Sequence, residues 1–322
     1  MERTQVEALF DQLWPPDRRI ATTAQLHKAG LDGRTIAYGV KRGLLHHLRR
    51  GVYMPMRGWQ GSKPWIREEL VLQGHIAAAN GTVIYSHFSA ARLHKLRLWN
   101  CPQRIHISSG YRSSTLKGAR DVVQHARTID PQHLVRAVVP GVGVAVFTDL
   151  AHTVLECSMS APFEQAVIIG DSALNSGLTM EALRELLESS AGRRGVKKAR
   201  MAVEGLNGLS ESAGETRTRL IVAELPIEQP ELQITISTRG GAYRVDFAWP
   251  GIRLILEFDG DTKYFDYGVT TEQALINERV RENALIEEGW RFIRVKWSDL
   301  NAPEMLKARI MKAYWAAGRA AA

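Results

Sequence analysis

The chain has 322 residues, of which 45% are hydrophobic, so it can bury sizeable cores and is predicted to form two or three domains. Its formal net charge of +8 favours a polyanionic partner, either a nucleic acid or an anionic membrane surface. No apolar run approaches the roughly 18 residues that cross a bilayer, and the first residues lack a signal-peptide core. With only Cys101 and Cys157, no disulfide or metal framework is indicated, and we expect a cytoplasmic protein without membrane association.

Three short helices are predicted over the first 43 residues. The first is amphipathic, with apolar residues at helical spacing: Val6, Leu9, Phe10 and Leu13. The second begins near Thr22 or Thr23 and ends around Gly30. Asp32 can cap the third, which ends before Gly43 and turns four side chains outward: Arg34, Tyr38, Lys41 and Arg42.

The segment LLHHLRRGVYMP then predicts a short hairpin with a basic turn. Three helices followed by a hairpin are typical of a winged helix-turn-helix, whose third helix enters the major groove while the wing contacts phosphates. Residues 1–60 hold ten Lys and Arg against five Asp and Glu, so the positive charge is concentrated there. A basic helix and a Gly turn also occur together in other small domains.

The stretch AQLHKAGLDGRTIAYGVKRGLLHHLRRGVYMP resembles the N-terminal winged-helix domain of AbiEi-type antitoxins, from bacterial type IV toxin-antitoxin and abortive-infection systems. The resemblance implies a DNA-binding domain over residues 1–60. It also implies groove or phosphate contacts from Arg34, Tyr38, Lys41 and Arg42, and wing contacts from Arg49 and Arg50.

Residues 61–192 are predicted to form a central α/β module, and HFSAARLHKLRLW, RIHISS and AVFTDLAHTVLECSM are similar to the middle of the same antitoxin-like proteins. Where those proteins usually carry Arg-Thr followed by Asp, this chain has His152, Thr153 and Glu156. The module's histidines lack the spacing of a zinc site, which favours surface or core roles: His87, His94, His106, His125, His133 and His152. The basic, Gly-rich segment AGRRGVKKAR is the predicted boundary after this module.

Three carboxylates lie on two predicted strands in RVDFAWPGIRLILEFDGDTK, which Pro250 and Gly251 join as a hairpin. If the hairpin is symmetric about that pair, Asp246 lies diagonal to Glu257 and shares a face with Glu257 and Asp259. Diagonal neighbours are about 7–8 Å apart at Cα, and two carboxylates at that spacing can share one Mg²⁺ or Mn²⁺. Solvent-facing acids on a one-sided sheet are the alternative.

Asp246, the sequence Glu-Phe-Asp-Gly from Glu257, and the pair Lys263-Tyr264 resemble the PD-(D/E)XK nuclease superfamily, and most closely its branch related to very-short-patch-repair endonucleases. SESAGETRTRL and ERVRENALIEEGWRFIRVKWSDL extend the resemblance over about the last third of the chain. It implies a restriction-endonuclease-like α/β domain with a mixed sheet over residues 193–322.

The resemblance makes Asp246 and Glu257 the ligands of Mg²⁺ or Mn²⁺, and makes Glu215 a third acid that aids the metal or a water. The superfamily carries a lysine two residues after its second acid, where this chain has Asp259. Lys263 is the candidate to supply that ammonium group.

A helix is predicted from Thr271 to Gly289, followed by a basic strand. Its expected apolar face comprises Ile276, Val280, Ala284 and Leu285. The charged residues are expected to form a solvated, ion-paired face: Glu278, Arg279, Arg281 and Glu282.

The sequence thus predicts a multidomain α+β protein that binds DNA and carries a metal-dependent endonuclease-like domain. The alternative is a non-catalytic repressor or antitoxin with a degenerate nuclease fold and a cognate toxin as partner. A repair enzyme for mismatched or modified DNA is a third option, which rests on analogy. The oligomeric state, including a homodimer, stays open.

Overall fold

The computed structural model describes residues 3–111, 121–260 and 271–321. Within these ranges the protein is α+β, with 14 α-helices and three sheets. The chain divides into two compact units, described separately below. The first comprises Met1–Lys95 and Cys101–Glu156, and the second comprises Leu96–Asn100 and Cys157–Ala322. No helix in the described ranges is long and apolar enough to cross a membrane.

The first unit begins with the predicted three helices and hairpin. The elements are α1 (Arg3–Leu13), β1 (Ala21–Thr22), α2 (Thr23–Lys28), α3 (Gly33–Lys41), β2 (Leu45–Arg49) and β3 (Val52–Pro55). The strands form an antiparallel sheet in the order β1-β3-β2. The apolar residues predicted on the first helix lie in or against one core that α1, α2 and α3 share, which includes Val6, Phe10, Leu26 and Ile36.

The ends of α2 and α3 follow from local chemistry. Thr22 and Gln25 form a reciprocal capping box at the start of α2. The Asp32 carboxylate accepts a hydrogen bond of 2.7 Å from the backbone N–H of Thr35 and caps α3. Gly43 follows α3 with φ +69°, a conformation that favours glycine.

The rest of the first unit is built around a five-stranded mixed sheet in the order β6-β5-β4-β8-β7. Its strands are β4 (Ile84–Tyr85), β5 (Ile105–Ser109), β6 (Val122–Ala126), β7 (Leu134–Val139) and β8 (Gly143–Thr148). The helices are α4 (Met56–Gln60), α5 (Pro64–Ala79), α6 (His87–Leu93) and α7 (Leu150–Ser160), the last of which runs past the unit boundary. The sheet core includes Tyr85, Ile107, Ala145 and Phe147.

The second unit contains four further helices before its sheet: α8 (Phe163–Asn175), α9 (Met180–Ser189), α10 (Val196–Glu204) and α11 (Ala213–Ala223). The predicted boundary at residue 192 does not coincide with the division after Glu156. The reason is that α10 packs on α8 and α9, so the Gly-rich basic segment, whose second half from Val196 belongs to α10, lies inside this unit. The predicted extents of the three domains stay predictions.

The sheet of the second unit has four strands in the order β12-β11-β10-β9, with only β11 and β12 parallel. The strands are β9 (Glu231–Thr238), β10 (Gly241–Trp249), β11 (Leu254–Phe258) and β12 (Arg291–Val295). Together with α11, the helices α13 (Trp297–Leu300) and α14 (Pro303–Ala321) cover one core. A second core includes Leu285 of α12 (Thr271–Glu287).

Two predictions about the second unit are wrong in detail, one on the β10–β11 hairpin and one on α12. The β10–β11 connection is a turn of four residues rather than two: Pro250–Ile252 form a 3-10 turn and Arg253 is left-handed with φ +49°. Ala248 therefore pairs with Ile255, so the register is displaced from the symmetric expectation. On α12, Leu285 is buried, but Ile276 and Val280 are about half exposed, so the predicted apolar stripe does not face the core.

Candidate functional site

Helix α3 presents the basic face that the sequence predicts. Arg34, Lys41 and Arg42 are exposed, while Tyr38 is partly buried with the Arg42 guanidinium 5.3 Å from its ring centroid. The sequence of α3 contains no acid. Its Asp32 cap lies at the N-terminal end, where the cap hydrogen bonds hold the pKa of that carboxyl below its usual value. The outward face of α3 is therefore a positively charged surface.

The hairpin after α3 separates the two predicted wing residues. Arg50 is exposed at the turn beside Gly51, whose φ is +74°. Arg49 instead forms an ion pair of 2.6 Å with Asp121, next to β6 of the same unit. Arg50 is thus available to a ligand, whereas Arg49 is held by an internal carboxylate.

In the second unit, four polar residues lie side by side across the sheet, one on each strand. Glu257 pairs with Arg294 in the parallel β11–β12 register. The β10–β11 register, continued one residue past the Phe247–Leu256 pair, places Asp246 opposite Glu257. The β9–β10 register places Asp246 opposite Gln233, between the pairs Val245–Ile234 and Phe247–Leu232. We call Gln233, Asp246, Glu257 and Arg294 the polar row. Asp246 and Glu257 are direct neighbours here, not the diagonal pair that the sequence predicted.

Glu257 is 3% exposed, and its carboxylate is held by two arginines. Arg281, on α12, contacts both oxygens, and Arg294 contacts Oε2 at 3.2 Å. Burial raises the pKa of Glu257, the two guanidinium groups oppose that rise, and the charge of Asp246 adds to it.

Glu215 joins the polar row through a side-chain hydrogen bond. It lies in the first turn of α11, is 7% exposed, and accepts a hydrogen bond of 3.0 Å from Gln233 and one of 2.7 Å from the backbone N–H of Glu211. Gln233 has φ +53° inside β9, which is an uncommon conformation for a residue with a side chain. Such strain often marks a functional position, because the surroundings must hold it in place.

The two remaining predicted acids differ in role. Asp246 Oδ2 accepts a hydrogen bond of 2.9 Å from the backbone N–H of Phe258, where the β10–β11 pairing ends. Asp259 is partly buried, and its backbone N–H donates to Val295 at 2.7 Å, so it extends the β11–β12 ladder. The predicted Lys263 lies outside the described residues.

The donor types of this site suit Mg²⁺ or Mn²⁺, because both ions prefer carboxylate oxygens. Arg281 and Arg294 would compete with a metal ion for Glu257, since both carboxylate oxygens already contact guanidinium groups. Within the described residues, the groups of three or more potential ligands within 4.8 Å of one another lie in the first unit instead.

The sequence reasoning missed those groups. One comprises His87, His106 and His125, and the other comprises His133, Asp149 and His152. In the second group, Asp149 accepts hydrogen bonds from both histidine rings, at 3.1 and 3.0 Å. A spacing rule for neighbouring ligands finds neither group, because the members lie on different strands, loops and helices.

The comparisons with known proteins give relatives without an established activity. No family model matches the chain. Two curated proteins of Mycobacterium tuberculosis, "Uncharacterized protein MT2308" of strain CDC 1551 / Oshkosh and "Uncharacterized protein Rv2248" of strain H37Rv, are each 31% identical over 168 residues. The match covers 50% of this chain and 59% of each relative.

Among solved structures, the crystal structure of the RV2827C protein from Mycobacterium tuberculosis is similar over 72% of this chain and 87% of that one. The sequence identity is 16% and the TM-score is 0.40.

Proposed function

We propose that this protein acts in the bacterial cytoplasm, binds duplex DNA through α3 and the β2–β3 hairpin, and hydrolyses DNA phosphodiesters with a metal site at Asp246 and Glu257. The helix order and hairpin of residues 1–60 support a winged helix-turn-helix, and the mixed sheet of the second unit supports a PD-(D/E)XK-like domain. The observation that carries the catalytic part is the polar row, in which the β10–β11 register, continued one residue past the Phe247–Leu256 pair, places Asp246 opposite Glu257.

Each acid would then have a distinct role. Asp246 and Glu257 would hold Mg²⁺ or Mn²⁺, which when bound activates water and offsets charge on the scissile phosphate. Glu215, tied to the polar row by Gln233, would orient a water molecule. Arg281 and Arg294 hold Glu257 in position and lower the net negative charge beside an incoming phosphate. Lys263 would supply the ammonium group that Asp259 cannot.

The direct test is a cleavage assay with Mg²⁺ or Mn²⁺ on linear, supercoiled and single-stranded DNA. We expect cutting by the wild type and a loss of at least about 100-fold in Asp246→Asn and Glu257→Gln, because each variant removes a charged metal ligand. Glu231→Gln is the matched control, since Glu231 is exposed on β9 of the same sheet. Cutting that persists in both site variants would contradict the assignment.

DNA binding is tested separately by titrating a duplex at several salt concentrations. Each phosphate contact changes the slope of log K against log salt by about 0.9. Arg34→Ala and Lys41→Ala are each expected to reduce that slope by about one contact. Arg184→Ala removes the same charge from an exposed position on α9 and serves as control. Equal effects of all three variants would indicate binding through net charge alone.

A second candidate function is a non-catalytic repressor or antitoxin that uses the nuclease-like unit to bind nucleic acid or a partner toxin. The occupation of Glu257 by two guanidinium groups favours it, as does Asp259 in the usual lysine position. DNA binding without metal-dependent cleavage across the substrates above would support this function and overturn the catalytic one. A protein that neither binds DNA nor cleaves it would contradict both candidate functions.

A further inference from the structure

The five-stranded sheet of the first unit brings three histidines together from separate parts of the chain. His106 lies on β5, His125 lies on the neighbouring β6, and His87 begins α6 directly after β4 on the other side of β5. One ligand nitrogen from each ring lies within 4.8 Å of the other two. This group, the histidine cluster, is not part of the proposed DNA-binding face or the polar row.

The ring geometry is close to that of a metal site. His106 Nδ1 and His125 Nε2 are hydrogen-bonded at 3.0 Å, so an ion bound between them would displace the proton that they share. Two nitrogens bound to one tetrahedral Zn²⁺ lie about 3.3 Å apart, because each Zn–N bond is about 2.0–2.1 Å. A shift of a few tenths of an ångström therefore admits an ion between these two rings. The His87 ring stacks on His125 at 3.6 Å between centroids and must turn out of the stack to become a third ligand.

A carboxylate is placed to orient that third ring. Glu156 of α7 is 2% exposed, and its Oε2 accepts a hydrogen bond of 3.5 Å from the backbone N–H of His87. The same oxygen lies 3.5 Å from His87 Nδ1, which is hydrogen-bonded to Ser86 Oγ at 3.1 Å, and Oε1 lies 3.4 Å from Arg127. Carboxylates that hydrogen-bond a histidine commonly fix its tautomer and orientation in metal sites. Glu156 stands where the resembling proteins carry an aspartate, so its contact with His87 gives that position a physical role.

One ring nitrogen of the cluster has no hydrogen-bond partner. Within the described residues, His106 Nε2 is buried without one, which is costly for a polar group; it is the ring nitrogen that does not face His125. His87 has φ +50°, a strained conformation for a residue with a side chain.

We propose that His87, His106 and His125 bind one Zn²⁺, or a similar late first-row divalent ion, per chain. Three imidazoles are a donor set that suits these ions and not Mg²⁺. A three-histidine site also leaves a fourth position for water or an acidic ligand. The site is independent of the proposed nuclease metal, which would be held by carboxylates in the other unit.

The test is calorimetric titration of the full chain, stripped with chelator, with ZnCl₂, alongside Co²⁺ titration followed by visible absorption. We expect one tightly bound equivalent and the absorption bands of four-coordinate Co²⁺. His87→Asn and His125→Asn are expected to weaken binding by at least about 100-fold, because each removes a direct ligand. Asparagine tolerates the left-handed backbone at position 87, so that variant retains the local fold.

Two controls make the outcome decisive. His27→Asn changes an exposed histidine outside both groups, and His152→Asn removes a member of the His133, Asp149 and His152 group. Both variants should bind one equivalent of Zn²⁺ as tightly as the wild type does. Failure of the wild type to bind would overturn the proposal. Binding that survives His87→Asn and His125→Asn but is lost in His152→Asn would do the same, and circular dichroism of the metal-free variants verifies that each is folded.

Discussion

Replacing Arg281 by methionine measures how strongly the ion pairs hold Glu257. Glu257 is 3% exposed, and its oxygens contact Arg281 and Arg294. Removing one partner of a buried ion pair costs about 3–5 kcal/mol, because it leaves the other charge uncompensated. Arg294 still contacts Glu257 in the variant, so the expected loss is smaller, about 2–3 kcal/mol of the free energy of unfolding at pH 7.

The same variant has a pH signature. The pKa of Glu257 is raised above its ordinary value of 4.5, so the folded state holds this proton more tightly than the unfolded state. Stability therefore falls as the pH rises from about 4.5 through the folded-state pKa. The Arg281 charge opposes the increase in the Glu257 pKa. Without it the pKa rises further, so the variant loses more stability than the wild type as the pH increases above 4.5. The difference between variant and wild type should shrink below pH 4.5.

Urea denaturation followed by tryptophan fluorescence at pH 7 and pH 4 measures both effects, since Trp249 and Trp297 lie in the core of this unit or pack against it. Arg279→Met is the control, because Arg279 is exposed on the same helix and should change stability by no more than about 0.5 kcal/mol. Equal stability of the two variants at pH 7, or an Arg281→Met deficit as large at pH 4 as at pH 7, would contradict the role assigned to the Arg281–Glu257 ion pair.

Two further perturbations test the packing and the pH response of the described units. A Cβ at Gly214 would lie 2.1 Å from the Phe258 ring, so Gly214→Ala should cost about 1–3 kcal/mol in urea denaturation, while Gly251→Ala, which meets nothing within 4 Å, should be near neutral. His75 is buried, bonds Tyr85 at 2.7 Å, and has its pKa lowered from 6.5 to about 4 by burial. The unfolded state therefore binds a proton at His75 more readily than the folded state does, and the stability of the first unit should fall as the pH drops from 6.5 toward 4. The fall should be smaller in His75→Phe. An equal fall in the variant and the wild type would show that burial of His75 is not its cause.

The sequence predicted the elements with strong local signals. Asp32 and Gly43 mark the ends of α3 because capping and a left-handed backbone depend on one or two neighbouring residues. The strands around Asp246 and Glu257 were likewise evident from alternation. Their register was not, since it depends on the turn, where Arg253 adopts a left-handed conformation that no local pattern announces.

Non-local contacts account for what the sequence did not predict. Arg281 was expected on a solvated, ion-paired face, and it does pair with Glu278, but it also covers Glu257 from another element. The apolar residues of α12 gave a misleading stripe because Leu285 alone among Ile276, Val280 and Leu285 meets the sheet. The histidine cluster depends on the order β6-β5-β4, which the linear spacing of its members does not encode.

The path of the chain between the two units limits how this protein can be divided. The chain enters the second unit at Leu96, leaves it after Asn100, and returns at Cys157. A fragment that begins at Cys157 would lose Trp99, whose ring centroid lies 3.8 Å from the Arg217 guanidinium, and the Asn100 carbonyl that accepts from Gln165. The second unit is therefore not one continuous stretch of chain, and it includes Leu96–Asn100 together with the residues from Cys157 onward.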